Sequence, residues 1–164
     1  MGTIKTNAMR ILDSNKIEYN EYVLNIKEAL DGVTCAKMLN VDINKTFKTL
    51  VTIGKSGDYF VFIVPVAAKL DLKKAANSVG EKNVEMIPMK NLLNVTGYVH
   101  GGCSPIGMKK NFVTVIDESA LNYEKIIFSG GKIGFFVEVD IKKVIDIFNF
   151  KVDNLVMEGL YEEA

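Results

Sequence analysis

Two β-rich runs, Thr46 to Ile53 and Tyr59 to Val66, flank the link Gly54-Lys55-Ser56-Gly57-Asp58. No other segment constrains the fold as strongly. Val, Ile, Thr and aromatic residues fill both runs, and a short glycine-containing link between them reads as a hairpin. A lone hairpin is marginal in water, so further strands and packed helices have to cover its faces. The rest of the chain supplies both. Asn83 to Ile87, Phe112 to Ile116, Lys125 to Ser129 and Phe135 to Val139 read as strands.

Between them the apolar period changes to that of helices. Thr6 is placed to N-cap a short helix with Ala8, Ile11 and Leu12 on one face, and Asp31 another with Val33, Ala36 and Leu39 inward. Asp71 caps a third that Gly80 closes. Pro88 suits the first turn of a helix ending before Gly97. Asp140 caps a last one whose Ile141, Val144, Ile145 and Phe148 share a face. Strands and helices interleave, and hairpins outnumber clean βαβ units. The expectation is a mixed α/β (α+β) domain: a curved, barrel-like mixed sheet with flanking helices. With 164 residues and 48% hydrophobic composition, one domain over residues 1–157 suffices, followed by a short acidic tail at 158–164.

Composition narrows the chemistry. Twenty Lys and Arg balance twenty Asp and Glu, which argues against a DNA-binding groove or any site that tracks a long phosphate backbone. One histidine and two distant cysteines cannot fill a four-ligand zinc site, so no metal and no cofactor are expected. The same cysteine usage suits a reducing cytoplasm. The longest apolar run, Tyr59 to Ala68, is far shorter than the roughly 20 residues of a bilayer span, so no membrane partner is expected.

Glycine is clustered. Gly97, Gly101, Gly102 and Gly107 fall in one loop-like segment, and Gly130-Gly131 form a second cluster. Neither has P-loop or dinucleotide spacing. Each could be a plain turn, or a place where backbone N–H groups approach a ligand. Lys48 sits among apolar strand residues, where it either snorkels at a sheet edge or points into a pocket; spacing alone favours the edge. His100 borders the glycine-rich segment and reads as structural or incidental. Cys103 lies inside that segment with no evident base beside it, and Cys35 reads as core.

These pieces occur in a telling order: Phe47-Lys48-Thr49-Leu50, Leu70-Asp71-Leu72-Lys73-Lys74-Ala75, Val84-Glu85-Met86 and Thr96-Gly97-Tyr98 come first. Gly101-Gly102-Cys103-Ser104-Pro105-Ile106-Gly107-Met108-Lys109-Lys110 and Ser129-Gly130-Gly131-Lys132 follow. Together they resemble the YbaK/EbsC group of aminoacyl-tRNA editing proteins, over about residues 6–150. The resemblance implies a deacylase similar to the editing insertion of prolyl-tRNA synthetases, acting on Cys-tRNA(Pro). It implies an essential Lys48 at the terminal ribose-phosphate region of the tRNA acceptor end. Gly101, Gly102, Cys103, Ser104 and Pro105 would form the loop beside the aminoacyl pocket. Ser129, Gly130, Gly131 and Lys132 would form a turn on that pocket, and Tyr22 would match a substrate-binding tyrosine. His100, Cys103 and Phe136 depart from the usual pattern, Phe136 where some members carry an aspartate. A partnership with prolyl-tRNA synthetase is implied as well. Two neighbouring readings stay open: another mischarged tRNA such as Ala-tRNA(Pro), and a non-catalytic RNA- or nucleotide-binding module.

Overall fold

Capping residues set the helix starts in the computed structural model, which describes residues 4–161, with side chains to residue 158. Helix α1 (Asn7–Ser14) starts at Thr6, whose Oγ1 accepts the Met9 N–H at 3.1 Å. After strand β1 (Tyr19–Val23), helix α2 (Gly32–Leu39) starts at Asp31, which accepts the Thr34 N–H at 2.9 Å. The hairpin follows, with β2 (Phe47–Gly54) antiparallel to β3 (Tyr59–Pro65) and Phe47 opposite Pro65. Then come β4 (Ala68–Leu70), α3 (Leu72–Ser78) capped by Asp71, β5 (Val84–Met86) and α4 (Leu92–Thr96). The remaining elements are β6 (Val113–Asp117), β7 (Lys125–Lys132), β8 (Phe135–Asp140), α5 (Ile141–Phe148) capped by Asp140, β9 (Lys151–Asp153) and β10 (Val156–Tyr161). Such side-chain caps each contribute about 1 kcal/mol.

The expected mixture of strands and flanking helices is present, but the pairings do not close one barrel among the described residues. A five-stranded sheet runs β5-β2-β3-β6-β9, a three-stranded sheet β1-β8-β7, and β10 pairs with β4. The β3–β6 and β6–β9 pairs are parallel and the others antiparallel. A single bridge, Thr46 to Ile127, joins the two larger sheets. Strands β1, β4, β9 and β10 were not expected from the sequence. They are short or carry charges, so a period-two apolar pattern is weak in them. The Ser129 to Lys132 segment is not a turn: it is the end of β7, where the register to β8 shifts between Ser129 and Lys132. The connection itself falls at Ile133-Gly134.

Strand β10 reaches Tyr161, so the segment expected as a tail from 158 begins inside a strand, and residues 162–164 lie outside the described residues. No helix among the described residues is long and apolar enough to cross a membrane.

Strand β2 is covered on both faces. Phe47 joins a core with Met9, Leu12, Ile63 and Phe128, and Leu50 packs against a second core around Phe60 and Phe62. Val51 belongs to a third with Tyr98 and Cys103. Lys48 pairs in register with Val64 on one side, and the Thr46–Ile127 bridge brings β7 close on the other. The edge position favoured by its spacing is therefore wrong. Elements far away in sequence cover the strand there.

Candidate active site

A cavity of about 390 Å³ opens where β2, α2, the 97–107 loop and the β7–β8 connection meet. Strand β2 contributes Phe47, Lys48, Thr49 and Leu50 to its wall, the 97–107 loop His100, Gly101 and Cys103, and the β7–β8 hairpin Ser129, Ile133, Gly134 and Phe136. The irregular segment before α2 closes another side with Ile26, Ala29, Leu30 and Asp31. A larger, more open groove of about 680 Å³ runs beside β1 past Asp13, Tyr19 and Lys125. It holds none of the motif residues, so the smaller enclosed cavity is the one with a site's chemistry.

The loop is shaped by its own hydrogen bonds. Gly97 ends α4 at φ +87°, and the Tyr98 hydroxyl donates to the Ile106 carbonyl at 2.5 Å. The Gly102 N–H donates to Val99 O at 3.0 Å, and the Ile106 N–H to Ser104 Oγ at 3.2 Å. Ser104 is fully buried, and its hydroxyl is turned to this loop rather than to the cavity. Gly102 lies flat on the β7–β8 connection: a Cβ there would come within 2.9 Å of the Ile133 N. Pro105 is buried behind the wall.

Of the residues singled out in the sequence, Lys48, Gly101, Cys103 and Ser129 line the cavity together, joined by His100 and Phe136. Gly102, Ser104, Pro105, Gly130, Gly131, Lys132 and Tyr22 do not. The Gly130 carbonyl accepts from the Thr6 hydroxyl, and the Gly131 N–H donates to Ser129 Oγ at 3.2 Å. The Lys132 ammonium lies 5.2 Å from the Phe135 ring centre, on the outside. Tyr22 stands opposite Phe136 and packs behind the wall with Cys35 and Ile127. Sequence reasoning missed the segment before α2. Its apolar residues have no clear period, and Asp31 read only as a cap.

The two cysteines are not activated. Burial pushes the Cys103 thiol up to about 12, and Cys35 is raised by burial and then by the Asp31 charge. Both are neutral thiols near pH 7. Asp31 is held below the usual carboxylate range by the Thr34 N–H and hydroxyl. Among the described residues no cluster of three His, Cys, Asp or Glu side chains is placed to hold a metal.

Thr49 Oγ1 is buried with no hydrogen-bond partner among the described residues. An unsatisfied buried hydroxyl costs about 1–3 kcal/mol. Thr49→Val is accordingly expected to raise the unfolding temperature by roughly 2–12 °C, measured by calorimetry. A fall would mean that the hydroxyl is bonded in solution.

Residues 27–147 match the family model described as "Aminoacyl-tRNA editing domain". The chain is 42% identical over 146 residues to an Enterococcus faecalis protein that bears the provisional name Cys-tRNA(Pro)/Cys-tRNA(Cys) deacylase EbsC. That match covers 88% of this chain and 89% of that protein. It is 30% identical over 149 residues to part of a proline--tRNA ligase of Fervidobacterium nodosum, covering 88% of this chain and 24% of the ligase. Among solved structures, one described provisionally as a trans-editing enzyme for prolyl tRNA synthetase superposes with a TM-score of 0.78 at 21% identity, over 94% of this chain and 99% of that one. A hypothetical protein superposes with a TM-score of 0.82 at 19% identity, over 90% of this chain and 97% of that one. These two likenesses establish the fold.

Proposed function

The chain belongs to the YbaK/EbsC-like aminoacyl-tRNA editing domain family, and from that premise we propose that it is a trans-editing deacylase of mischarged tRNA, with Cys-tRNA(Pro) as substrate. The observation that carries this reading is the meeting of Lys48, Gly101, Cys103 and Ser129 in one cavity, from three separate parts of the chain. The name borne by the Enterococcus relative supports the same substrate. The match to segments of proline--tRNA ligases supports prolyl-tRNA synthetase as a partner that selects the tRNA. With no net charge, the protein grips only the acceptor end.

An aminoacyl ester is already activated, so positioning and oxyanion stabilisation suffice. Lys48 holds the terminal ribose-phosphate, and the ester carbonyl lies against the glycine-rich loop. Each backbone donor aimed at the developing oxyanion contributes about 3 kcal/mol. The Gly102 N–H is committed to Val99 O. That leaves the N–H groups of Gly101 and Cys103, whose residues line the cavity, as the donors of this proposal in place of Gly102. The attacking group is water or the thiol of the bound cysteine. In the second case sulfur bonds to the carbonyl carbon, the bond to the ribose oxygen breaks, and the thiol proton passes to that oxygen. The product is a thiolactone, which water then opens.

Incubation with Cys-tRNA(Pro) and measurement of label loss tests the proposal, with Ala-tRNA(Pro) alongside as substrate control. Binding without hydrolysis of either would leave only an RNA-binding module. Because Cys103 is a buried neutral thiol, Cys103→Ala is expected to keep kcat within about threefold. Iodoacetamide at pH 8 is expected to react with native Cys103 at least ~100-fold more slowly than with free cysteine. Loss of turnover in a folded Cys103→Ala variant would show a protein nucleophile and overturn the positioning mechanism.

A further inference from the structure

The cavity carries one charge that the proposed chemistry leaves unused. Among its described lining residues Asp31 supplies the one carboxylate, and Lys48 stands on β2 with the opposite charge. The other walls include Ile26, Leu30 and Phe136. An aminoacyl ester bears the same two signs, phosphate at one end and an α-ammonium at the other. The α-amino group of an aminoacyl ester is less basic than the chain-terminal value of about 7.7–8.0, yet a substantial fraction is cationic at neutral pH and more below it. A fixed anion at the exposed rim of the cavity, where Asp31 stands, attracts that cation without burying it.

Asp31 is built to be such an anion. One carboxylate oxygen accepts the Thr34 N–H at 2.9 Å and the other the Thr34 hydroxyl at 2.8 Å. Both bonds fix the group's orientation and leave acceptor sites open on each oxygen. The next residue presses the backbone against the wall: a Cβ on Gly32 would lie 2.3 Å from Val66 Cγ1, and Val66 also lines the cavity. The Asp31 charge reaches Cys35, a third lining residue.

We propose that Asp31 receives the α-ammonium group of the bound aminoacyl ester, so that the protein hydrolyses esters with a free amino group in preference to N-blocked ones. This rests on the deacylase reading above. It makes peptidyl-tRNA, whose nitrogen is acylated, a class the site disfavours.

The test pairs two proteins with two substrates. Asparagine caps a helix as well as aspartate, so Asp31→Asn removes the charge and keeps α2. The substrates are Cys-tRNA(Pro) and its N-acetyl derivative. The wild-type protein is expected to favour the free amine about tenfold in kcat/KM, a modest factor because Asp31 is solvent-exposed. Asp31→Asn is expected to lose that factor on the free amine and to be unchanged on the N-acetyl substrate. An equal loss on both substrates, or no loss on either, overturns the proposal.

A binding arm separates this from failure of the deacylase reading. Calorimetry with a non-hydrolysable aminoacyl-amide of adenosine, free or N-acetylated, reads Asp31 without turnover. Tighter binding of the free amine by wild type, levelled in Asp31→Asn, supports the role of Asp31 even if no ester is hydrolysed. Equal binding of both compounds by wild type, or no binding, refutes it.

Discussion

Replacing Lys48 with alanine is expected to lower deacylation of Cys-tRNA(Pro) by at least about 100-fold, the scale seen when one preorganised electrostatic contact to a reacting group is removed. Lys48 is half-buried on a strand covered on both faces, so it lines the cavity from a rigid support. Its backbone pairs with Val64 whatever the side chain is, so the strand itself does not depend on the amine. Lys48→Met separates charge from bulk by keeping the aliphatic stem. Both variants are expected to show the same loss, with circular dichroism unchanged. A Lys48→Met variant that retains more than a tenth of wild-type activity would refute an electrostatic role. The split between KM and kcat adds detail: a contact that only holds the tRNA end raises KM, whereas one that strengthens as the ester reacts lowers kcat.

The sequence made much of this legible, for local reasons. Caps need one short side chain and the next few N–H groups, and Thr6, Asp31, Asp71 and Asp140 all start helices where expected. The hairpin was legible because its glycine-bearing link lies between two dense β-branched runs. What failed was decided at long range. Lys48 read as an edge residue because no local pattern announces the sheet brought over by the Thr46–Ile127 bridge. Strand β1, Tyr-Asn-Glu-Tyr-Val, owes its existence to pairing with β8, more than a hundred residues later. The glycine motifs were found by composition, but their division of labour was not. Gly101 faces the cavity, while Gly102 serves the packing of two backbones and Gly131 the irregular end of β7.

That division makes Gly101 the position where fold and site are most tightly joined. Gly101 has φ +83°, and a Cβ there would lie 2.4 Å from Ala29 Cβ and 3.2 Å from Ala29 Cα. Gly101→Ala therefore carries two costs. The left-handed backbone disfavours a side chain by about 1–2 kcal/mol, and the contact with Ala29 adds roughly 1–3 kcal/mol. For a chain of this size the sum corresponds to a fall in unfolding temperature of roughly 5–15 °C. Activity is expected to fall at least about tenfold as well. Ala29 must move off the cavity wall, and a displacement near 1 Å is enough to misplace a substrate by catalytic standards. Gly57 supplies the comparison: its φ is +93° and nothing lies within 4 Å of its missing Cβ. Gly57→Ala is expected to show the backbone cost alone, with activity intact. The pair Gly101→Ala and Ala29→Gly completes a double-mutant cycle, since the second change removes the methyl that the first one strikes. The double variant is expected to recover most of the activity but to keep the stability loss caused by the left-handed backbone. Additive losses would instead show that the loop's own conformation, and not its seat against Ala29, sets the shape of the cavity.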